Sequence, residues 1–314
     1  MKEESVKELY LYIKDRLAGA GIQEAAGEAW IFLDWLCGIS RADYYMDPGA
    51  PVPARMLEAV EKELRLRTKR IPLQYLMGTC EFMGYSFHVD GRVLIPRQDT
   101  ERLVEWALDR ISGEIEMRKR DPDKKGGNSK LPIASKTVQE SDNHLSPVKV
   151  LDLCTGSGCI GISIKLMRPQ AQVTLSDISE EALAVAAGNA SDLEADVRLV
   201  RSDLFENLTG AYDYILSNPP YIPTEEIDAL MPEVRDHEPL LALDGRGDGL
   251  AFYRKIIREA PDYLRPGGWL VFEIGMDQGD DVRKLFDKEG FRDIQIIKDY
   301  AGLDRVAAAR FVNA

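Results

Sequence analysis

From residue 148 onward the chain alternates short apolar runs with amphipathic stretches, and this alternation constrains the fold more than any other feature. Strands are expected over 148–153, 173–175, 197–200, 212–216, 269–274, 294–297 and 306–311. Helices are expected between them over 160–167, 180–190, 250–264 and 282–288. Such a rhythm predicts an α/β sandwich built on a mainly parallel sheet, because each helix carries the chain back to start the next strand in the same direction.

The first part of the chain has a different period. Val6, Leu9, Tyr10, Ile13 and Leu17 recur at helical spacing, as do Trp30, Leu33 and Leu36, and then Met56, Leu57, Val60 and Leu64. Three helices are expected over 6–17, 25–36 and 54–67, separated by the Pro/Gly break at 47–53. Residues 1–70 therefore read as a small helical domain whose apolar stripes form its own core. Residues 71–96 alternate aromatic and polar groups around Asp90-Gly91, which predicts a β-hairpin linker with its turn at that dipeptide and a second strand over 92–95. A helix is expected over 100–111. Residues 112–147, with the basic run Arg118-Lys119-Arg120, hold too little apolar surface to offset ordering entropy and read as a flexible insertion in a domain spanning 97–314.

Composition removes several function classes. The 314 residues carry 40 Lys+Arg against 53 Asp+Glu, a formal charge of −13, and nucleic-acid binding through phosphates needs the opposite sign. No apolar run is long enough for a membrane span, and no signal-peptide core follows Met1-Lys2-Glu3-Glu4, so a cytoplasmic protein is expected. Cys37, Cys80, Cys154 and Cys159 show no zinc-ligand spacing, and no metal site is expected.

Two motifs carry chemistry. The first strand runs into Asp152-Leu153-Cys154-Thr155-Gly156-Ser157-Gly158, a glycine turn that admits close ligand approach. Asp177 ends the second strand, where a carboxylate can hold a ribose diol. Asp203, after the third, can meet an adenine amino group, with Leu204 and Phe205 as an apolar wall. The spacing Gly156-x-Gly158-x-x-Gly161 also fits a dinucleotide pyrophosphate seat. Asp152 before the turn suits a sulfonium cofactor better than a pyrophosphate. The second motif, Asn218-Pro219-Pro220-Tyr221, follows the buried run 212–216. Two prolines fix the backbone and supply no N–H, leaving a stiff elbow with free carbonyls and an aromatic face. Such an elbow suits methyl transfer to an amide or amino nitrogen. An adenine-N6 methyltransferase acting on DNA or RNA would share it.

Several stretches together are similar to the peptide-chain-release-factor glutamine N5-methyltransferases of the PrmC/HemK type: 71–78, 94–101, 151–158, 217–222, 238–243 and 273–279. The resemblance covers nearly the whole chain outside the insertion. It implies a five-helix-like N-terminal domain that docks the substrate protein, and a Rossmann-like, seven-stranded methyltransferase sheet of class I whose last strand is antiparallel. It implies S-adenosylmethionine as cofactor and, as substrate, the glutamine in the Gly-Gly-Gln motif of class 1 release factors. Cys154, Thr155, Gly156, Ser157 and Gly158 would form the loop at the methionine end. Asp177 would take the ribose, Asp203 and Leu204 the adenine, and Asn218 to Tyr221 the glutamine, with Asn218 also among the cofactor-binding residues. Arg97 and Thr100 are expected to close the pocket, with Glu273 orienting them. Three positions depart from the family pattern: Gln98 where proline is usual, Cys154 where glycine is common, and His237 where an aromatic is usual. Cys154 is expected to need no positive φ, the turn's strain falling on Gly156.

Overall fold

The computed structural model describes residues 5–120 and 147–312. The chain divides into two compact units.

The first unit takes in the chain up to Glu81, Ser86–Ile95 and Glu225–Leu243. Its helices are α1 (Val6–Gly19), α2 (Ala25–Cys37), α3 (Arg41–Met46), α4 (Ala54–Arg67) and α5 (Leu73–Met77). Ser5 opens α1 with a capping box, its hydroxyl accepting from Glu8 N at 3.3 Å, and Ser40 does the same for α3. The three apolar stripes meet in one core through Leu9, Ile13, Leu33, Leu57, Val60 and Leu64. Helices α3 and α5 were not marked by periodicity. They span six and five residues, too few turns to write a repeat, and α3 buries none of them.

The hairpin differs from the sequence expectation. Its strands are β1 (Thr79–Phe82) and β2 (Tyr85–His88), and its turn is Met83-Gly84, both left-handed at φ 52° and 78°. Consecutive positive-φ residues match the twist of a two-residue hairpin turn. Asp90 instead folds onto its neighbour, Oδ1 accepting from Arg92 N at 3.0 Å and Arg92 Nε at 2.8 Å. Residues 92–95 therefore form no strand, although Val93 and Ile95 are buried.

The second unit opens with α6 (Glu101–Arg120), which runs well past its expected end at 111. Glu114 and Arg118 pair one turn apart, and Arg118 reaches Asp213 at 2.7 Å, so charge that reads as a loop stabilises a helix. The remainder of the expected insertion lies outside the described residues. Then follow β3 (Lys149–Leu153), α7 (Cys159–Met167), β4 (Gln172–Asp177), α8 (Glu180–Asp192), β5 (Arg198–Arg201) and β6 (Tyr212–Ser217). The short α9 (Pro232–Arg235) and α10 (Leu240–Leu243) belong to the segment held by the first unit. The rest is α11 (Ala251–Glu259), β7 (Leu264–Glu273), α12 (Gly279–Lys288), β8 (Arg292–Lys298) and β9 (Asp304–Arg310). Helix α11 stops short of the expected 264 because Pro261 cannot continue the ladder.

These strands form one seven-stranded sheet in the order β5-β4-β3-β6-β7-β9-β8. Only β9 is antiparallel to its neighbours. From β3 the chain steps outward to β4 and β5, then returns to lay β6 on the other side of β3, which makes the β3–β6 junction the topological switch point. Leu153 pairs with Ser176 and with Ser217, and Ser217 with Phe272, so the carboxyl ends of the parallel strands finish level along one edge.

Candidate active site

Every sequence-marked chemical residue in the second unit lies at or just beyond that edge. The turn after β3 is left-handed at three positions, Cys154 (φ 60°), Gly156 (φ 54°) and Gly158 (φ 84°). The expectation for Cys154 was wrong: this residue takes a backbone conformation that favours glycine. Burial also pushes its thiol pKa up, so the sulfur stays protonated and unreactive. Thr155 N donates to Ser176 O at 3.0 Å and Gly158 N to Thr155 O at 2.9 Å, which fixes the turn against β4.

Asp152 is fully buried beneath this turn rather than facing a ligand, as its sequence position suggested. Its Oδ2 accepts from Thr155 Oγ1 at 2.5 Å and from Gly161 N at 2.9 Å. Burial pushes its pKa up to about 7, against the lowering effect of those two donors. Its Oδ1 has no partner among the described residues. Gly161 has to be glycine, since a Cβ there would lie 2.2 Å from Leu175 Cδ2 and 3.0 Å from Asp152 Cβ. The first turn of α7 thus already donates to an internal carboxyl group, which weakens it as a seat for a pyrophosphate.

Asp177 closes β4 and is partly exposed. Oδ2 accepts from Gly156 N and Oδ1 from Ser179 N, each at 2.9 Å, and each oxygen keeps a lone pair for a hydroxyl. Burial raises its pKa, partly offset by those amides. Asp203 is about half exposed, with Oδ1 3.4 Å from Lys255 Nζ. Its side chain caps no helix, since Ser202 Oγ accepts from Asn207 N at 2.9 Å instead. Phe205 stacks on Tyr263, centroids 4.5 Å apart, and with Leu204 belongs to the core rather than to a ligand wall.

The elbow leaves β6 directly beside the glycine turn. Ser217 Oγ donates to Leu153 O at 2.6 Å, joining the last residues of the two strands. Pro219 and Pro220 are buried. Asn218 Nδ2 lies 3.5 Å from Thr100 Oγ1, which donates to Glu273 Oε2 at 2.5 Å, while Tyr221 OH donates to Glu273 Oε1 at 3.3 Å. The Asn218 amide nitrogen therefore faces Thr100, and its oxygen, like the carbonyls of Pro219 and Pro220, accepts no hydrogen bond from the described residues. Burial raises the Glu273 pKa, opposed by Thr100, Arg305 and Tyr221. Burial and Glu273 likewise raise the Tyr221 phenol, with Arg305 and Arg97 acting the other way. The turn at Gln98 forms without proline, Thr100 N donating to Arg97 O at 3.1 Å. His237 lies in the segment held by the first unit.

Sequence reasoning assigned no role to Gln278, whose Nε2 donates to Tyr221 O at 3.0 Å. Nothing local marks it; its partner is 57 residues away. No helix among the described residues is long and apolar enough to cross a membrane.

Comparison with known proteins gives a consistent picture. Residues 8–78 match the PrmC N-terminal domain family and residues 129–234 the Methyltransferase small domain family. A protein of Geobacter sulfurreducens named release factor glutamine methyltransferase is 38% identical over 307 residues, covering 98% of this chain and 96% of the relative. One of the same name from Cereibacter sphaeroides is 39% identical over 301 residues, covering 95% and 96%. Among solved structures, the hMettl16 catalytic domain in complex with a MAT2A 3'UTR hairpin superposes with a TM-score of 0.53 over 80% of this chain and 82% of that one. At 15% identity that likeness speaks to the fold alone.

Proposed function

The chain belongs to the release factor glutamine methyltransferase family, and from that premise we propose how its own residues serve the reaction. The methyl group goes from S-adenosylmethionine to the side-chain amide nitrogen of the glutamine in the Gly-Gly-Gln motif of class 1 release factors. The observation that carries this reading is the 2.6 Å bond from Ser217 to Leu153, which sets the elbow and the glycine turn side by side at the switch point.

The residues present fit the cofactor. No atom stands within 4 Å of where a Cβ would project from Gly156, so the turn leaves room for a ligand against its backbone. The carboxylates of Asp177 and Asp203 favour hydroxyl and amino donors and disfavour a pyrophosphate. Residues 154–158 would hold the methionine end, Asp177 the ribose hydroxyls, and Asp203 with the backbone at Leu204 the adenine. When bound, S-adenosylmethionine supplies an electrophilic methyl group on a sulfonium.

An amide nitrogen is a poor nucleophile because its lone pair is delocalised into the carbonyl. Asn218 Oδ1 and the Pro219 carbonyl would accept the two N–H bonds of the substrate amide, turning its nitrogen toward the glycine turn. As that nitrogen gains positive charge both bonds strengthen, so the elbow binds the transition state better than the ground state. Tyr221 would pack on the amide plane, its hydroxyl anchored by Glu273. Thr100 keeps the Asn218 nitrogen engaged, so that the oxygen is the atom presented. Arg97 would close the pocket rim.

Incubation with labelled S-adenosylmethionine and purified release factor, followed by peptide mass mapping, tests the assignment. Label on the Gly-Gly-Gln glutamine is the expected result. Label found only in added nucleic acid would favour an adenine-N6 activity instead.

A further inference from the structure

We infer that Gln278 is a positioning residue for methyl transfer, locking the Asn218–Tyr221 elbow from outside. The inference rests on the role proposed above for that elbow. With two prolines the elbow has few backbone donors with which to brace itself, so its orientation has to be imposed through its carbonyls and side chains.

One hydrogen bond fixes the Tyr221 carbonyl. Gln278 is only 8% exposed, and its Nε2 donates to the Tyr221 carbonyl at 3.0 Å. The orientation of its amide is set from the other end, because Oε1 accepts from Gly275 N at 2.9 Å. With Oε1 committed to the Gly275 N–H, Nε2 is the atom left to face Tyr221. The Tyr253 hydroxyl, 3.4 Å from Gln278 Oε1, gives its proton to the Glu273 carbonyl at 2.9 Å, so the residue that anchors the Tyr221 phenol is held beside the same glutamine. Tyr221 is thereby held at two points, carbonyl and hydroxyl.

Three glycines clear the space around this bond. A Cβ on Gly249, which sits at φ 73°, would lie 2.3 Å from the Tyr221 oxygen and 2.8 Å from Gln278 Nε2. A Cβ on Gly245 would lie 2.7 Å from Tyr221 C and Cα, and one on Gly275 would lie 3.0 Å from Gln278 Oε1. Two separate chain segments, the loop carrying Gly245 and Gly249 and the turn at Gly275, are thus kept bare where a single side-chain amide meets a single carbonyl. Packing alone would be served as well by an apolar residue; a glutamine oriented at both ends serves direction. Freed from Gln278, the Tyr221 carbonyl can rotate, and the acceptors at Asn218 and Pro219 lose their shared alignment.

The test compares wild type, Gln278→Glu and Gln278→Ala in the labelling assay, with cofactor affinity measured by calorimetry. Gln278→Glu keeps the shape and the bond from Gly275 but turns an oxygen toward the Tyr221 oxygen. The expected result is a fall in kcat of about 10- to 100-fold for Gln278→Glu, the scale of a sub-ångström to ångström misplacement, with KM and cofactor affinity within about threefold of wild type. Gly249→Ala, whose methyl group would press on both the Tyr221 carbonyl oxygen and Gln278 Nε2 while leaving the glutamine itself in place, should reproduce that split. An unchanged kcat in Gln278→Glu overturns the inference. So does a parallel loss of cofactor affinity and melting temperature with kcat, which would mark a structural role. If wild type itself leaves the glutamine unlabelled, the functional reading fails and the inference with it; if wild type and Gln278→Glu label it equally, the inference alone fails.

Discussion

Thr100 donates its hydroxyl to Glu273 across 2.5 Å, joining residues 173 apart in the sequence, and the same oxygen faces Asn218 Nδ2 at 3.5 Å. One hydroxyl thus satisfies a buried carboxyl group and orients the asparagine proposed to bind substrate. Thr100→Val keeps the volume and removes the hydroxyl, leaving a Glu273 oxygen without a donor. The expected cost is about 1–3 kcal/mol of stability, as for any buried acceptor left unmade. Methyl transfer should fall about tenfold, which corresponds to about 1.4 kcal/mol of barrier. Thermal melts and single-turnover rates check the two effects separately.

Asn218→Ala removes the acceptor itself. Loss of one preorganised group that strengthens in the transition state costs about 100- to 1,000-fold in kcat. Cofactor binding should be retained, because the other residues assigned to it follow β3, β4 and β5 while Asn218 follows β6. Equilibrium binding of the cofactor to the variant, alongside its turnover, separates the two; normal turnover would refute the acceptor role.

Much of this site was legible because its signals are local. The glycine turn, Asp177 and the Asn-Pro-Pro-Tyr elbow each announce themselves within a few residues of a strand end, and the β/α rhythm places those ends together. What escaped depends on partners far along the chain. Helix α6 continues to Arg120 because Arg118 finds Asp213, 95 residues on. Gln278 acquires meaning only beside Tyr221. The hairpin turn was misplaced since Asp90-Gly91 looks the stronger turn signal, yet Asp90 spends its carboxylate on Arg92. Asp152 reads as a ligand contact because nothing in sequence tells a carboxylate beneath a turn from one facing outward.

The pH dependence of stability should carry the signature of Asp152. Its folded pKa, about 7, lies above the ordinary value of 3.8. Between those values the folded state binds more protons than the unfolded, so this group's stabilising contribution is complete at low pH and is lost as pH rises through about 7. Asp177 and Glu273, both raised by burial, act in the same direction. Asp152→Asn cannot ionise but still accepts from Gly161 N. Its melting temperature should therefore fall less than that of wild type between pH 5 and pH 8, roughly the window in which the carboxyl group titrates. Equal slopes in melts across that window would rule the assignment out.

Cys154 offers a gain rather than a loss. An L-residue in the left-handed region costs about 1–2 kcal/mol, while glycine there gives back about 0.5–1 kcal/mol through its larger unfolded entropy. Cys154→Gly should therefore stabilise the protein by up to about 1 kcal/mol, or about 2–4 °C in a domain of this size. Cys154→Val, β-branched at φ 60°, should destabilise it. Differential scanning calorimetry of the two variants gives the sign directly.

In the helical unit the decisive group is Arg67, only 4% exposed. It holds Glu28 through two bonds of 2.7 and 2.8 Å and Glu233 through one of 2.9 Å, and Glu233 also takes Arg70 at 2.5 Å. Glu233 lies in the segment that follows the elbow, more than 160 residues from either arginine, and neither partner was visible from sequence. Arg67→Met leaves Glu28 without its arginine and Glu233 with Arg70 alone. Removing one member of a buried pair costs about 3–5 kcal/mol, and the low end applies here because Arg70 remains. Glu233→Gln keeps acceptors for both arginines and should cost about 1 kcal/mol. Deleting residues 1–70 removes both cations at once, so a truncated chain tests loss of the Glu233 clamp together with loss of the helical domain as a whole. Arg67→Met separates them: hydrogen exchange over 225–243 should rise while α1 and the β3–β6 strand pair stay protected. Uniform loss of protection would instead mean that the clamp holds up the whole molecule.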